Sequence, residues 1–201
     1  KLKSMGITDY DEAILKYYDN PETLQLLITA GADVNKANRY AKTPLHMAAA
    51  FGYTECVKLL LAAPGIEVNK ADNRETPLFW AANQGHTEIV KLLLAAPGID
   101  VNKANYGYTP LREAADKGRT EIVKLLLAAP GIEVNKADKD GATPLYWAAW
   151  NGHTECVKLL LAAPGIDVNK ANEKGETPLY VAKERNHTEC VKLLRAAGAK
   201  E

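Results

Sequence analysis

The tripeptide Thr-Pro-Leu begins at residues 43, 76, 109, 143 and 177, with spacings of 33, 33, 34 and 34. A unit that short cannot bury its own apolar face, so copies must stack on one another to make a core. After each of the first four markers comes a near-constant block of 19 residues, Thr-Glu-Cys/Ile-Val-Lys-Leu-Leu-Leu-Ala-Ala-Pro-Gly-Ile-Glu/Asp-Val-Asn-Lys-Ala-Asp/Asn, starting at Thr54, Thr87, Thr120 and Thr154. An altered fifth copy starts at Thr188.

Each unit reads as two helices and a turn. Pro44 suits a first helical turn, where its missing N–H costs nothing. Gly52 suits the left-handed residue that ends a helix. Thr54 is placed to cap a second helix, with Glu55 opposing the dipole in its first turn. That helix must stop before Pro64, because proline disfavours helical geometry in the residue ahead of it. Ala63-Pro64-Gly65-Ile66 matches a turn with proline second and glycine third, and residues 66–69 are expected to be short and extended. Before the first marker, residues 12–18 and 22–30 read as one more helix pair.

The 33-residue period, Thr43-Pro44-Leu45-His46 and the ending Gly31-Ala32-Asp33-Val34-Asn35 resemble the ankyrin repeat family. The resemblance covers about residues 9–199. It implies an all-α fold: one ankyrin-repeat solenoid of six stacked helix-turn-helix repeats with projecting β-turn loops, capped ends and a concave surface. The repeats fall at about 9–35, 36–69, 70–102, 103–135, 136–169 and 170–199, after an N-terminal extension at 1–8. Two departures stand out. The internal repeats carry an extra residue in Pro64-Gly65-Ile66-Glu67 and its copies, and the family histidine survives only at His46, with Phe79, Arg112, Tyr146 and Tyr180 in its place elsewhere.

Variation between the repeats is uneven. Leu45, Ala48 and Ala49 recur almost unchanged and share one helical face, which marks core. The neighbouring positions change each time: His46, Met47, Ala50 and Phe51 in one helix, Phe79, Trp80, Asn83 and Gln84 in the next. Of 14 aromatic residues, 11 lie in variable positions and none in a constant block. Rigid aromatics and arginine are the usual anchors of interfaces. The expected partner-binding residues are therefore Tyr40, Met47, Phe51, Arg74, Phe79, Trp80, Gln84, Tyr106, Tyr108, Arg112, Glu113, Lys117, Lys139, Tyr146, Trp147, Trp150, Asn151, Tyr180 and Arg185. Arg112, Glu113, Asp116 and Lys117 would suit a protein partner whose apolar patch is flanked by both charges. The alternative is that the aromatics fill gaps between helices.

Composition narrows the function classes. Lys and Arg number 25 and Asp and Glu 25, so the formal net charge is zero, which argues against nucleic acid as a partner. Apolar runs stop at Pro-Gly pairs, well short of the ~20 residues a membrane span needs, so no membrane is expected. No apolar leader follows Lys1, which points to a cytoplasmic or recombinant setting without secretion. Cys56, Cys156 and Cys190 take the slot of Ile89 and Ile122 and should be buried, inert thiols. His86, His153 and His187 share one turn position and read as structural. Neither cofactor, metal nor catalytic residue is expected, and a monomer is. Lys183 and Arg195 replace core residues in the last repeat, as a polar cap would.

A near-fixed framework with diversified surface positions is also similar to designed ankyrin-repeat binders. A natural adaptor made by tandem duplication would carry the same small framework changes, such as Cys for Ile or Asp for Glu. A designed scaffold without a partner would repeat its surface as faithfully as its core, and this chain does not.

Overall fold

The computed structural model describes residues 1–71, 75–104 and 106–200. Among them a short 3-10 helix at Lys3–Met5 precedes twelve α-helices. Six lie in the compact unit Lys1–Asp100: α1 (Tyr10–Ile14), α2 (Pro21–Thr29), α3 (Pro44–Phe51), α4 (Thr54–Leu61), α5 (Pro77–Gln84) and α6 (Thr87–Leu94). Six lie in the unit Val101–Glu201: α7 (Pro110–Asp116), α8 (Thr120–Leu127), α9 (Pro144–Trp150), α10 (Thr154–Leu161), α11 (Pro178–Glu184) and α12 (Thr188–Ala196).

Local chemistry sets the start of the marker helices. Thr43, Thr76, Thr109, Thr143 and Thr177 are N-caps, each followed by proline at the first helical position. Each threonine hydroxyl accepts the backbone N–H three residues on, as in Phe79 N–H to Thr76 Oγ1 at 3.1 Å. Such a cap supplies about 1 kcal/mol. The second helices begin otherwise than the sequence predicts. Thr54 is inside α4, and the capping position is Tyr53, which makes no side-chain cap bond. The left-handed Gly52 turns the chain so tightly that Thr54 N–H already bonds Gly52 O at 2.9 Å. The hydroxyls of its counterparts Thr120 and Thr154 instead share hydrogen bonds with the thiols of Cys156 and Cys190 in the next helix pair, at 3.7 and 3.8 Å.

The first repeat also departs from expectation. The predicted helices at 12–18 and 22–30 become α1 and α2, with earlier ends. Asn20 precedes Pro21 and is held extended (φ −116°, ψ 99°), so the chain must leave helical geometry ahead of it. Tyr18, freed from the helix, packs its ring against Phe51 and Tyr53. Within residues 1–8, Leu2 and Ile7 are buried. Val68 and Asn69 lie in a turn, not in an extended run.

In each unit the marker helices pack side by side (α3 on α5; α7 on α9 and α9 on α11), and the second helices form a row behind them. Alanines make the first row close: Ala48, Ala49, Ala81, Ala82, Ala114, Ala115, Ala148 and Ala149 are fully buried. The second helices bury positions such as Cys56, Val57 and Leu60, one face at helical spacing, and expose the lysines and glutamates between. Lys183 and Arg195 are exposed on α11 and α12.

The extra residue of the Pro-Gly turn has a partner that sequence reading missed. Asn35 Nδ2 donates to Gly65 O at 2.7 Å and its Oδ1 accepts Glu67 N–H at 2.9 Å. The same pair of bonds joins Asn69 to Gly98 and Asp100 in the first unit. In the second it joins Asn102 to Gly131 and Glu133, and Asn135 to Gly165 and Asp167. Each asparagine thus reads the backbone of the next repeat's turn from both its amide groups. The marker loops are held by a second Asx device, in which Oδ1 of Asn38, Asp138 or Asn172 accepts two backbone N–H groups of its own loop.

Two outcomes follow for urea unfolding. Asn135→Ala removes both bonds of one rung and should lower stability by about 1–2 kcal/mol. Ala41 sits at φ 61°, where its counterparts Gly141 and Gly175 sit at 79° and 80°. Ala41→Gly should therefore raise stability by about 0.5–1 kcal/mol through relief of left-handed strain.

Candidate functional site

The variable residues of the marker helices do not form one uniform patch. The first of them, the third residue of the helix, turns back toward the cap, and in α3, α7 and α9 it meets the next loop. His46, Phe79, Arg112 and Tyr146 are buried, the last three at 6, 8 and 4 % exposure, and so is Glu113. The expectation that Phe79, Arg112, Glu113 and Tyr146 stand on an open surface is corrected here. Helical side chains lean toward the N-terminus, and at this position that direction leads into the stack. Tyr180 holds the same register in α11, the last marker helix, and is 49 % exposed.

His46 shows what the buried position does. Its Nδ1 closes a capping box with Thr43, and its Nε2 lies 3.1 Å from Glu75 O in the following loop. Tyr146 replaces that link by longer reach, donating its hydroxyl to Glu176 Oε2 at 3.0 Å. Burial, then the bond to Glu176, pushes the Tyr146 hydroxyl pKa up, so it stays protonated. Glu176 is held below the usual carboxyl range by Asn172 Nδ2 and by Tyr146, so it stays ionised.

In the first unit, Tyr40, Met47, Phe51, Trp80 and Gln84 come together. With Asn38, Lys42, Ala50 and Glu75 they line an open pocket of about 660 Å³. Tyr40 and Phe51 are 54 and 57 % exposed. Lys42 Nζ lies 4.1 Å from the Trp80 ring centroid, and Phe79 meets Trp80 edge to face. Arg74 lies outside the described residues.

In the second unit, Arg112 is the hub of an internal charge network. It pairs with Glu113, with Asp138 at 3.5 Å and with Asp116 at 3.9 Å, and lies over the rings of Trp147 and Tyr108. Trp147 Nε1–H donates to the fully buried Asp138 carboxylate at 2.8 Å. The charges expected to flank a partner's patch are thus largely spent inside the protein. A desolvated guanidinium needs carboxylates, and three are within reach. Lys117 remains exposed while pairing with Asp116 at 3.0 Å, and Asn151 donates to the Asp116 carboxylate and carbonyl. Tyr106 and Lys139 are exposed, tied by Lys139 N–H to Tyr106 O at 2.6 Å.

A second aromatic group stands on α9. Tyr146 stacks on Trp150 and meets Trp147 edge to face. Together with Asp140, Ala142, Asn172, Glu173, Lys174 and Glu176 they line a pocket of about 340 Å³. The Arg185 guanidinium lies 3.7 Å from the Trp150 ring centroid. Sequence reasoning missed Asp138, Asn172 and Glu176. The signal for Asp138 and Asn172 was their place as the final Asp or Asn of the constant block, a residue type that organises turns.

The remaining reactive side chains are structural. His86, His153 and His187 reach back with Nε2 to Ala50 O, Asp116 O and Trp150 O at 3.0–3.1 Å. Their rings cover Gly52, Gly118 and Gly152, where a Cβ would meet the imidazole within 3 Å. All three cysteines are buried and free, and burial pushes the Cys56 thiol up to about 11. Among the described residues no group of His, Cys, Asp or Glu gathers as metal ligands, and no helix is long and apolar enough to cross a membrane.

Native protein at neutral pH should resist iodoacetamide at all three thiols and react fully in urea, as mass spectrometry would show. Arg112→Met strands buried carboxylates and should destabilise the fold by about 3 kcal/mol or more. An unchanged urea midpoint would refute the network's role.

Among curated proteins no relative matches the chain significantly. The model of ankyrin repeats in three copies matches residues 12–105, 64–138, 103–172 and 131–200. An ankyrin repeat domain from Acinetobacter baumannii AYE, solved by crystallography, is similar with 32 % identity and a TM-score of 0.85, covering 94 % of this chain and 98 % of that one. The repeat period, the Thr-Pro helix starts, the stacked alanines and these matches agree: this chain is a member of the ankyrin repeat family, whose helical solenoid fold is typically a non-enzymatic scaffold for protein interaction.

Proposed function

We propose that the chain is a non-enzymatic binder of a protein partner, and that it docks through the aromatic side chains its marker helices and loops leave exposed. The observation that carries this reading is the pocket of the first unit. Tyr40, Phe51 and Trp80 crowd an open apolar depression although the alanine core beside it needs no aromatics. Rigid rings lose little entropy on docking and bury large area. The partner has an apolar patch, and the chain meets it as a monomer.

The framework supports an engineered or selected origin for this binder. Blocks of 19 residues stay nearly fixed while the positions around the pockets differ in every repeat. Exchanges inside the blocks, such as Cys56 against Ile89, favour a second reading, a natural adaptor produced by tandem duplication.

Pull-down from mixed lysates and candidate antigens, comparing the chain with its Tyr40→Ala, Phe51→Ala and Trp80→Ala variants, tests the reading. A captured protein should bind each variant more weakly, with the Trp80 loss about 2 kcal/mol, while urea midpoints change little. Capture that is indifferent to all three substitutions, or unfolding that moves as far as affinity, would overturn it.

A further inference from the structure

We propose that the pocket on α9 receives an arginine side chain of the protein partner. This deepens the reading above and rests on it, but it concerns a different pocket with different chemistry.

The depression in the first unit is rimmed by one lysine and one glutamate. The rim on α9 is acidic: Asp140, Glu173 and Glu176 outnumber the one lining cation, Lys174, while Arg185 is engaged on the Trp150 ring. The two loops that carry these carboxylates are tied directly, Glu173 N–H donating to Asp140 O at 2.9 Å. Their side chains therefore share one rim as a consequence of backbone geometry. Asp140 and Glu173 are exposed and form no ion pair among the described residues. Glu176 is fixed by Tyr146 and Asn172 and kept ionised.

The walls suit the rest of such a side chain. Trp147 and Trp150 are half-buried, so their edges offer apolar surface to a three-carbon stem while the carboxylates take the head. The protein itself displays the chemistry, because Arg185 stacks its guanidinium on Trp150 and Arg112 does so on Trp147. An acidic segment would meet three carboxylates there. A purely aliphatic one would cover them without a counter-charge.

The test titrates the whole chain with the blocked tripeptide acetyl-Gly-Arg-Gly-amide and with its citrulline isostere, which keeps the shape and loses the charge. The readout is the pair of indole Nε1–H resonances of Trp147 and Trp150. The arginine peptide should shift both saturably at roughly millimolar concentration, and the citrulline peptide should not. Asp140→Asn and Glu173→Gln, both on exposed side chains, should each weaken binding about threefold, the scale of one exposed ion pair. Equal shifts from citrulline, no shift from arginine, or undiminished binding in both variants would overturn the proposal. Its failure is distinct from failure of the binder reading, which is judged by partner capture in the variants of the first unit.

Discussion

Everything within each unit depends on one amide that reads the backbone of its neighbour. The asparagines of the first four Val-Asn endings each donate to a glycine carbonyl and accept an N–H in the next Pro-Gly turn. Two bonds of opposite sense on one planar group fix both the distance and the register between successive turns. With that register set, alanines face alanines along the marker helices, and the histidines land over the glycines that end the preceding helices. The inserted residue makes this possible, because it places a glycine carbonyl and an acidic residue's N–H within reach of one side chain.

The same stacking divides the variable positions into two kinds. In α3, α7 and α9 the third residue meets the following loop, so its variation is answered locally. Histidine meets a carbonyl, tyrosine meets a carboxylate, and arginine meets a set of acids. The next residue along stays partly open in α3, α5 and α9 but is buried in α7 (Glu113) and α11 (Val181), and those a turn later stay partly open. Met47, Phe51, Trp80, Trp147 and Trp150 are of this second kind, and the two pockets are built from them. The pockets differ in charge because the loops above them differ.

Buried charge around Arg112 has a cost that a scaffold built for stability alone would avoid. Apolar side chains of similar volume would often serve as well or better. The network instead holds Trp147 by its indole N–H and seats Tyr108 beside the guanidinium, so it orients aromatics next to the α9 pocket.

Fold class, repeat length and the starts of the marker helices were legible in the sequence because they rest on local rules: a period, a threonine before a proline, a glycine past a helix end. The buried alanine face was legible for the same reason. Whether Tyr146 faced solvent was not, since its burial goes with a bond to a loop about thirty residues away. Nor was the pairing of Arg112 with Asp138, which lie in different repeats. The sequence by itself determined the helices and their spacing, because those depend on near neighbours in the chain. Only the tertiary structure decided which variable residues became core, charge network or pocket, because each of those roles is conferred by the repeat packed alongside.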